Sequence, residues 1–227
     1  ETDHVIIGGG PAGIFAALTA ADLGKRCVIL EQNGQIGKKL RITGKGRCNV
    51  TNNCSQQDFL LHIPTNRSFL YSALSRCSPQ DVMDFFEQQG VALKTERGNR
   101  VFPVSDRAED IVTALQRALR ARNIPVIRAK AKHLILKDGI CTGVQTTDGT
   151  IYSAQSVLLA TGGASSPATG STGDGYRLAK EVGHTIVPPT PSFVNTIVSP
   201  CTRPLNVPAS HENTKSCVEY FDQNLLI

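Results

Sequence analysis

Apolar residues near the start of the chain form two short runs separated by one longer segment. The first run, residues 4–7, breaks into a glycine-rich turn at residues 8–13. Strong helix formers without a breaker follow at residues 14–21, and a second apolar run occupies residues 27–30. This order predicts strand, turn, helix and strand, the βαβ unit that holds a dinucleotide.

Three glycines and one acid give this unit its chemistry. Gly8 allows the chain to turn tightly, Gly10 lets the backbone approach a pyrophosphate, and Gly13 lets the helix pack closely against the strand. The unpaired N–H groups at the helix start favour a phosphate there. Glu31 ends the second strand, where a carboxylate accepts hydrogen bonds from ribose hydroxyls and argues against the 2′-phosphate of NADP. An ordinary glycine-rich turn in another α/β protein would not need this acid.

A polar segment after Glu31 is a candidate for further cofactor contacts. Lys38 and Lys39 could reach phosphate oxygens, or they could be two solvated lysines. Gly44 and Gly46 again permit a close backbone approach. Side chains with donors suited to phosphate, ribose or the edge of a flavin ring stand beside these glycines: Arg47, Asn49, Thr51 and Asn52.

Cys48 lies inside this segment and has two interpretations. It could be a thiol near a redox centre, or a small side chain packed in a tight turn. The chain has no CxxC pair, which favours packing.

Two helices are predicted in the irregular middle of the chain. Residues 78–81 begin the first, with a serine cap, a proline at the first position and an acid in the first turn. Gly90 ends this helix, and Asp106 is expected to cap the second. Between them, residues 97–103 should form a turn and a short extended piece, with Phe102 in the core. The apolar faces of the two helices are Val82, Phe85 and Phe86, and Ile111, Leu115 and Leu119.

Several strands are predicted next. Residues 124–128 read as a short buried strand, beside which an irregular antiparallel sheet begins. Two Asp-Gly turns then make residues 133–152 a three-stranded meander, with His133 as an edge residue and not a ligand. Residues 156–160 form a separate, fully apolar strand, and residues 192–198 could form another.

A second glycine-rich turn follows the apolar strand. Thr161, Gly162 and Gly163 end the strand, and residues 169–175 lead into a helix at residues 176–182. A redox ring or an anionic substrate could lie over this turn. Asp174 is either the cap of the helix or a cofactor contact.

Composition narrows the class of protein. The chain has 227 residues, of which 40% are apolar, enough for one sizeable α/β domain. No apolar stretch approaches the ~18 residues of a membrane span, and the chain enters a core strand at once, so we expect no signal peptide and a cytoplasmic location. Seven scattered cysteines indicate reduced thiols and neither disulfides nor a metal site. The basic residues behind the net charge of +5 are dispersed, which argues against nucleic acid.

The motifs, in this order, resemble the FAD domain of the glutathione-reductase-like flavoproteins with two dinucleotide-binding domains. More narrowly, residues 42–52, 100–103 and 169–176 resemble the bacterial NAD(P)/FAD-dependent oxidoreductases that include bile-acid-pathway reductases and aminoacetone oxidases. The Thr-Gly-Gly and Thr-Gly-Asp-Gly patterns are also similar to fumarate-reductase-type flavoproteins. The match covers residues 3–195 and specifies the family far better than a substrate.

The resemblance implies an α/β, Rossmann-like FAD-binding domain, with a parallel sheet, helices and a three-stranded meander, over residues 1–195. It also implies an inserted substrate domain, followed by a returning glycine-rich segment that completes the FAD site. Residues 199–227 do not contain this returning segment. We therefore expect residues 196–227 to begin the inserted domain or to form an irregular tail, in a chain truncated before the return.

Motifs and resemblance together predict FAD as cofactor, with NAD(P)H as a co-substrate and a small organic molecule as substrate. No catalytic base can be named, because no histidine lies in a motif loop; Arg47 and Asp174 are candidates for polarising the ring or the substrate. The predicted cofactor-binding residues are Gly8, Gly10, Pro11, Ala12, Gly13, Glu31, Gln32, Lys38, Lys39, Gly44, Gly46, Arg47, Cys48, Asn49, Ala131, Ala160, Thr161, Gly162, Gly163 and Asp174.

Two alternatives remain open at this point. The βαβ unit alone also fits an NAD-binding dehydrogenase, although the meander and the later Thr-Gly-Gly fit FAD better. The short chain and its mild positive charge would suit a non-catalytic fragment that acts with RNA.

Overall fold

The computed structural model describes residues 2–63 and 66–189. The expected strand at 192–198 and the expected unit at 196–227 lie outside these residues. The elements in chain order are β1 (Thr2–Ile7), α1 (Pro11–Asp22), β2 (Cys27–Glu31), a short turn α2 (Thr43–Gly46), β3 (Thr51–Asn52), α3 (Gln56–Leu61), a 3-10 turn (Arg67–Leu70), α4 (Tyr71–Arg76), α5 (Pro79–Gln88), β4 (Leu93–Glu96), β5 (Arg100–Pro103), α6 (Ala108–Ala121), β6 (Val126–Arg128), β7 (Ala131–Lys137), β8 (Ile140–Thr146), β9 (Ile151–Leu159), a second 3-10 turn (Pro167–Thr169) and α7 (Asp174–Glu181).

Six strands form the central sheet in the order β6-β2-β1-β9-β8-β7. The first four run parallel, with Ile6 opposite both Ile29 and Leu158, and the last three form the antiparallel meander. Helices α1, α5 and α6 cover one face through a large apolar cluster that includes Ile14, Ile29 and Leu115. The predicted Rossmann-like architecture, with its meander, is confirmed.

Strand β9 corrects the prediction of two separate strands. Its first part pairs antiparallel with β8, with Tyr152 opposite Val144, and the later part pairs parallel with β1, with Leu159 opposite Ile7. The polar residues between the two parts do not break the strand, because side chains alternate between its faces and Ser153 and Gln155 point to the exposed one. One strand therefore belongs to both the meander and the parallel sheet.

Strand β6 corrects a second expectation. It pairs with β2 at the edge of the sheet opposite to the meander, and Val126 is 40% exposed. The sequence predicted a buried strand beside the meander. This prediction was wrong because an apolar run does not reveal the place of a strand in the strand order.

Helix α5 begins as predicted. The Ser78 side chain accepts a hydrogen bond from the Asp81 amide, and the Asp81 carboxylate accepts one from the Ser78 amide, which completes a capping box.

Helix α6 carries its predicted apolar face, but Asp106 does not cap it. Asp106 has a left-handed backbone (φ 55°) and pairs with Lys94, and the residue before the helix is Arg107, which makes no side-chain cap.

Three short strands form a second, antiparallel sheet in the order β3-β5-β4. Phe102 on β5 is 1% exposed, as expected of a core residue. This small sheet lies against the segment that follows β2, which it contacts through the ring of Phe102.

Candidate dinucleotide-binding site

A cleft of about 530 Å³ opens at the carboxyl ends of β1, β2 and β9. In open parallel sheets, ligands bind at this edge, where strand order reverses. The cleft brings together fourteen of the predicted cofactor-binding residues, namely Gly8, Gly10, Pro11, Ala12, Glu31, Gln32, Lys38, Lys39, Ala131, Ala160, Thr161, Gly162, Gly163 and Asp174.

The glycines of the first turn differ in what surrounds them. Gly8 has a φ of 115°, and a Cβ there would lie 2.2 Å from the Ala160 carbonyl oxygen. A Cβ on Gly13 would lie 2.0 Å from the Gly8 oxygen, so this residue permits the contact of α1 with β1. A Cβ on Gly10 would meet no atom within 4 Å. Gly8 and Gly13 therefore serve the fold, whereas Gly10 leaves open space in the cleft.

Glu31 ends β2 inside the cleft and is 7% exposed. One carboxylate oxygen accepts a hydrogen bond from the Gly9 amide at 2.6 Å. The other accepts from the backbone amide of Asn33 at 2.7 Å and from its side chain at 2.8 Å. These three bonds fix the carboxylate group of Glu31 against the glycine turn.

The second glycine-rich turn closes the other side of the cleft. The Gln32 side chain donates to the Gly170 carbonyl at 2.9 Å, and the Asn33 side chain donates to the Thr169 carbonyl at 3.2 Å. The residues after β2 are thereby joined to residues 169–170.

Asp174 is the first residue of α7 and does not cap it. The cap position belongs to Gly173, with a left-handed backbone (φ 81°) and no side-chain cap. The Asp174 carboxylate accepts a hydrogen bond from Thr172 at 2.7 Å and lies 3.9 Å from the Lys130 ammonium. The prediction that Asp174 caps the helix is therefore wrong. The contact of Asp174 with a cofactor stays a prediction.

Six predicted residues do not line the cleft: Gly13, Gly44, Gly46, Arg47, Cys48 and Asn49. Gly13 lies behind it, in the contact of α1 with β1. The other five follow Thr43, which does line it. Their cofactor contacts stay predictions.

Cys48 is fully buried in the apolar cluster and has a left-handed backbone (φ 62°). Burial raises the pKa of its thiol to about 12. A thiolate is the reactive form of cysteine, so this side chain is a packing group at neutral pH.

Sequence reasoning missed several residues that line the cleft: Asn33, Thr43, Lys130 and Tyr176. Asn33 had a usable signal, because an amide two residues after the acid of β2 can hydrogen-bond back to it. Lys130 had no such signal, since only the fold brings it to the cleft.

Residues 2–63 and 66–189 contain no group of three or more histidine, cysteine or acidic side chains that could hold a metal ion. None of the helices in these ranges is long and apolar enough to cross a membrane.

The fold and the cleft define a Rossmann-type dinucleotide-binding domain. Residues 2–200 match the model of the HI0933-like protein Rossmann domain, and the chain belongs to this family.

Two curated relatives align with most of this chain. A 3-dehydro-bile acid delta(4,6)-reductase of Clostridium scindens is 36% identical over 194 residues, covering 83% of this chain and 46% of the relative. A ribosomal RNA dihydrouridine synthase of Haemophilus influenzae is 29% identical over 196 residues, covering 85% of this chain and 48% of the relative. The chain thus spans about half the length of these relatives.

Solved structures agree on the fold. Sdh1 of Mycobacterium smegmatis in complex with UQ1 superposes with a TM-score of 0.61 at 20% identity, covering 80% of this chain and 38% of Sdh1. At this identity, the likeness concerns the fold alone.

Proposed function

We propose that this chain is the FAD-binding domain of an oxidoreductase. The observation that carries the proposal is the meeting of an open Gly10, the start of α1 and a buried Glu31 in one cleft. A dinucleotide needs these three features for its pyrophosphate and its ribose.

The residues of the cleft fit such a group. The first amides of α1, at Ala12 and Gly13, have no carbonyl partner within the helix and are available to a pyrophosphate. The space beside Gly10 admits the phosphates, and Lys38 on the same wall supplies positive charge. The Glu31 carboxylate has lone pairs beyond its three hydrogen bonds, which a ribose hydroxyl can use.

FAD, when bound, supplies transfer of a hydride equivalent. The chain's own residues would bind and orient it: the α1 amides and Lys38 would hold phosphate, Glu31 would hold the adenosine ribose, and Ala131 lines the same cleft. Thr161 to Gly163 bring a second glycine-rich backbone to the same cleft.

The names of the relatives support a reduction as the reaction. One is named a bile acid reductase and the other makes dihydrouridine, so each name describes the saturation of a double bond. We propose a small organic substrate with a polarised double bond, with NAD(P)H as the donor of electrons.

A nucleic-acid substrate is the second candidate, and the relative named a ribosomal RNA dihydrouridine synthase favours it. Binding of a structured RNA that weakens steeply as salt rises would support this candidate. Absence of binding at low salt would remove it.

Titration of the purified chain with FAD tests the main proposal. We expect two visible flavin bands that stay with the protein through gel filtration, and release of FAD on heating. An anaerobic addition of NADH or NADPH should then bleach these bands. A folded chain, checked by circular dichroism, that retains NADH but no FAD would overturn the proposal in favour of an NAD-binding dehydrogenase, and one that retains neither would overturn it outright.

A further inference from the structure

Four basic residues of the segment after β2 lie in two different places. Lys38 and Lys39 line the cleft, whereas Arg41 and Arg47 contact acids outside it. Arg41 lies 2.9 Å from Glu109 at the start of α6. The arginines of this segment are thus engaged by the protein.

Arg47 has the more complete set of partners. Its Nη1 donates to both carboxylate oxygens of Glu96, at 2.9 and 3.1 Å, and lies 3.4 Å from Asp106. Its Nε donates to the Gly44 carbonyl at 3.3 Å. The guanidinium carbon lies 4.0 Å from the centre of the Phe102 ring, a cation–π contact. Neighbouring elements therefore hold both the charge and the flat face of this side chain.

The turn that contains Arg47 has a strained backbone, which contacts from neighbouring elements must stabilise. Gly44, Lys45, Gly46 and Cys48 all have left-handed backbones, with φ of 57°, 60°, 85° and 62°. Left-handed residues other than glycine persist only where their surroundings fix them. Thr43, the residue directly before this run, lines the cleft.

Lys94 joins the same network. It lies 2.7 Å from Asp106 and 3.5 Å from Glu96. Its hydrogen bond, joined by that of Arg47, holds the pKa of Asp106 below its usual range. Arg47, Lys94, Glu96 and Asp106 therefore form one network of side chains, and a network of ion pairs contributes more than an isolated surface pair.

We propose that Arg47 is a positioning residue that clamps residues 43–49 onto the small sheet through Glu96, Asp106 and Phe102. By this clamp it fixes the cleft wall at Lys38 and Thr43 for the dinucleotide, which Arg47 itself does not touch. The inference rests on the proposed binding of FAD and specifies how that site is shaped.

A double-mutant cycle on the full chain tests the clamp. Arg47→Met, Glu96→Gln and the double variant are titrated with FAD, with Arg100→Met as matched control. Arg100 lies 5.8 Å from the same Phe102 ring, and its Nε donates to the backbone carbonyl of Arg97. We expect each single variant to weaken FAD binding about threefold to fivefold, and the double variant to lose no more than either single one.

A second readout separates positioning from a general loss of stability. The visible circular dichroism of bound FAD reports the surroundings of its ring and does not follow the melting temperature. Arg47→Met and Glu96→Gln should change this spectrum in the same way, and Arg100→Met should leave it as in the wild type.

The outcomes are distinguishable. Weaker binding by Arg47→Met with unchanged binding by Glu96→Gln would overturn the clamp and make Arg47 a direct ligand. Equal affinity and equal spectra in all variants would also overturn it. A folded wild-type chain that binds no FAD would overturn the proposed function, and the clamp with it.

Discussion

The Glu31 carboxylate accepts a hydrogen bond from the Gly9 amide at 2.6 Å, which ties the end of β2 to the turn that ends β1. The acid that should bind ribose is therefore also a structural part of the turn that should bind phosphate.

Replacing Glu31 should affect stability as well as binding. In Glu31→Gln, one of the two oxygens that face backbone amides becomes an NH₂ group, which leaves a buried donor without an acceptor. We expect a loss of about 1.5–3 kcal/mol in the free energy of unfolding, with weaker FAD binding. Urea unfolding and FAD titration measure the two effects, and exposed Glu87→Gln on α5 should change neither. Full stability in Glu31→Gln would contradict the double role.

Two glycines of the same turn should respond in opposite ways. Gly10→Ala places a methyl group in open space on an extended backbone (φ −81°, ψ 178°), so the free energy of unfolding should hold or rise by about 0.5 kcal/mol. The methyl group takes the room of the pyrophosphate, and FAD affinity should fall about tenfold or more.

Gly13→Ala is the matched opposite. Its Cβ would lie 2.0 Å from the Gly8 oxygen, so α1 must move from β1 and the protein should lose about 3 kcal/mol or fail to fold. Thermal melts of the two variants compare the roles directly. Tight FAD binding by Gly10→Ala would show that the phosphates lie elsewhere.

Cys48 should make stability depend on alkaline pH. Burial raises its folded pKa to about 12 from the ordinary thiol value of 9.0, so between these values the unfolded chain has lost a proton that the folded chain keeps. Stability is therefore full below pH 9 and falls as pH rises, by about 1.4 kcal/mol per pH unit from this group. Unfolding by urea at pH 8.5–10.5 should show a smaller decline in Cys48→Ala. Identical slopes in both proteins would show that the thiol titrates normally.

Lys38 should act through its charge. It is exposed on the cleft wall, and Lys38→Ala should weaken FAD binding about threefold at low salt and less at high salt, because salt screens exposed charges. Fluorescence titrations at several salt concentrations check this, with exposed Lys137→Ala at the far edge of the sheet as control. Unchanged affinity in Lys38→Ala would identify it as a solvated lysine.

The cap of α5 should contribute to the fold and leave the cleft unaffected. Ser78→Ala removes both side-chain bonds of the Ser78 hydroxyl in the capping box, at a cost of about 1 kcal/mol. Ser75→Ala, on exposed α4, should stay within about 0.5 kcal/mol of the wild type. FAD affinity should be the same in both variants, and a loss in Ser78→Ala alone would link α5 to the cleft.

Local sequence predicted the parts of this molecule whose causes are local. The βαβ unit follows from hydrophobic period and glycine spacing, and the α5 cap follows from four adjacent residues. The sequence favoured packing for Cys48 because the chain has no CxxC pair, and the structure buries this side chain.

The remaining features depend on contacts between distant residues. The partners of Arg47 lie at Glu96 and Asp106, so nothing in the polar segment itself showed that its charge was engaged. Asp106 was predicted to cap α6 because the residues next to it in the sequence do not indicate its hydrogen bond to Lys94. The place of β6 and the continuity of β9 follow from strand order, which periodicity does not contain.

The double membership of β9 has a consequence for synthesis of the chain. Its pairing with β1 joins Ile7 to Leu159, so β1 has no β9 neighbour until nearly the whole described chain has left the ribosome. If β1 and β2 pair during that interval, the edge of β1 that later pairs with β9 is open to other strands. Such late closure gives a slow-folding topology with a long window for mispairing. Nascent chains stalled with residue 159 still inside the ribosomal exit tunnel, and others stalled after this residue has emerged, would locate the moment at which the domain becomes resistant to protease.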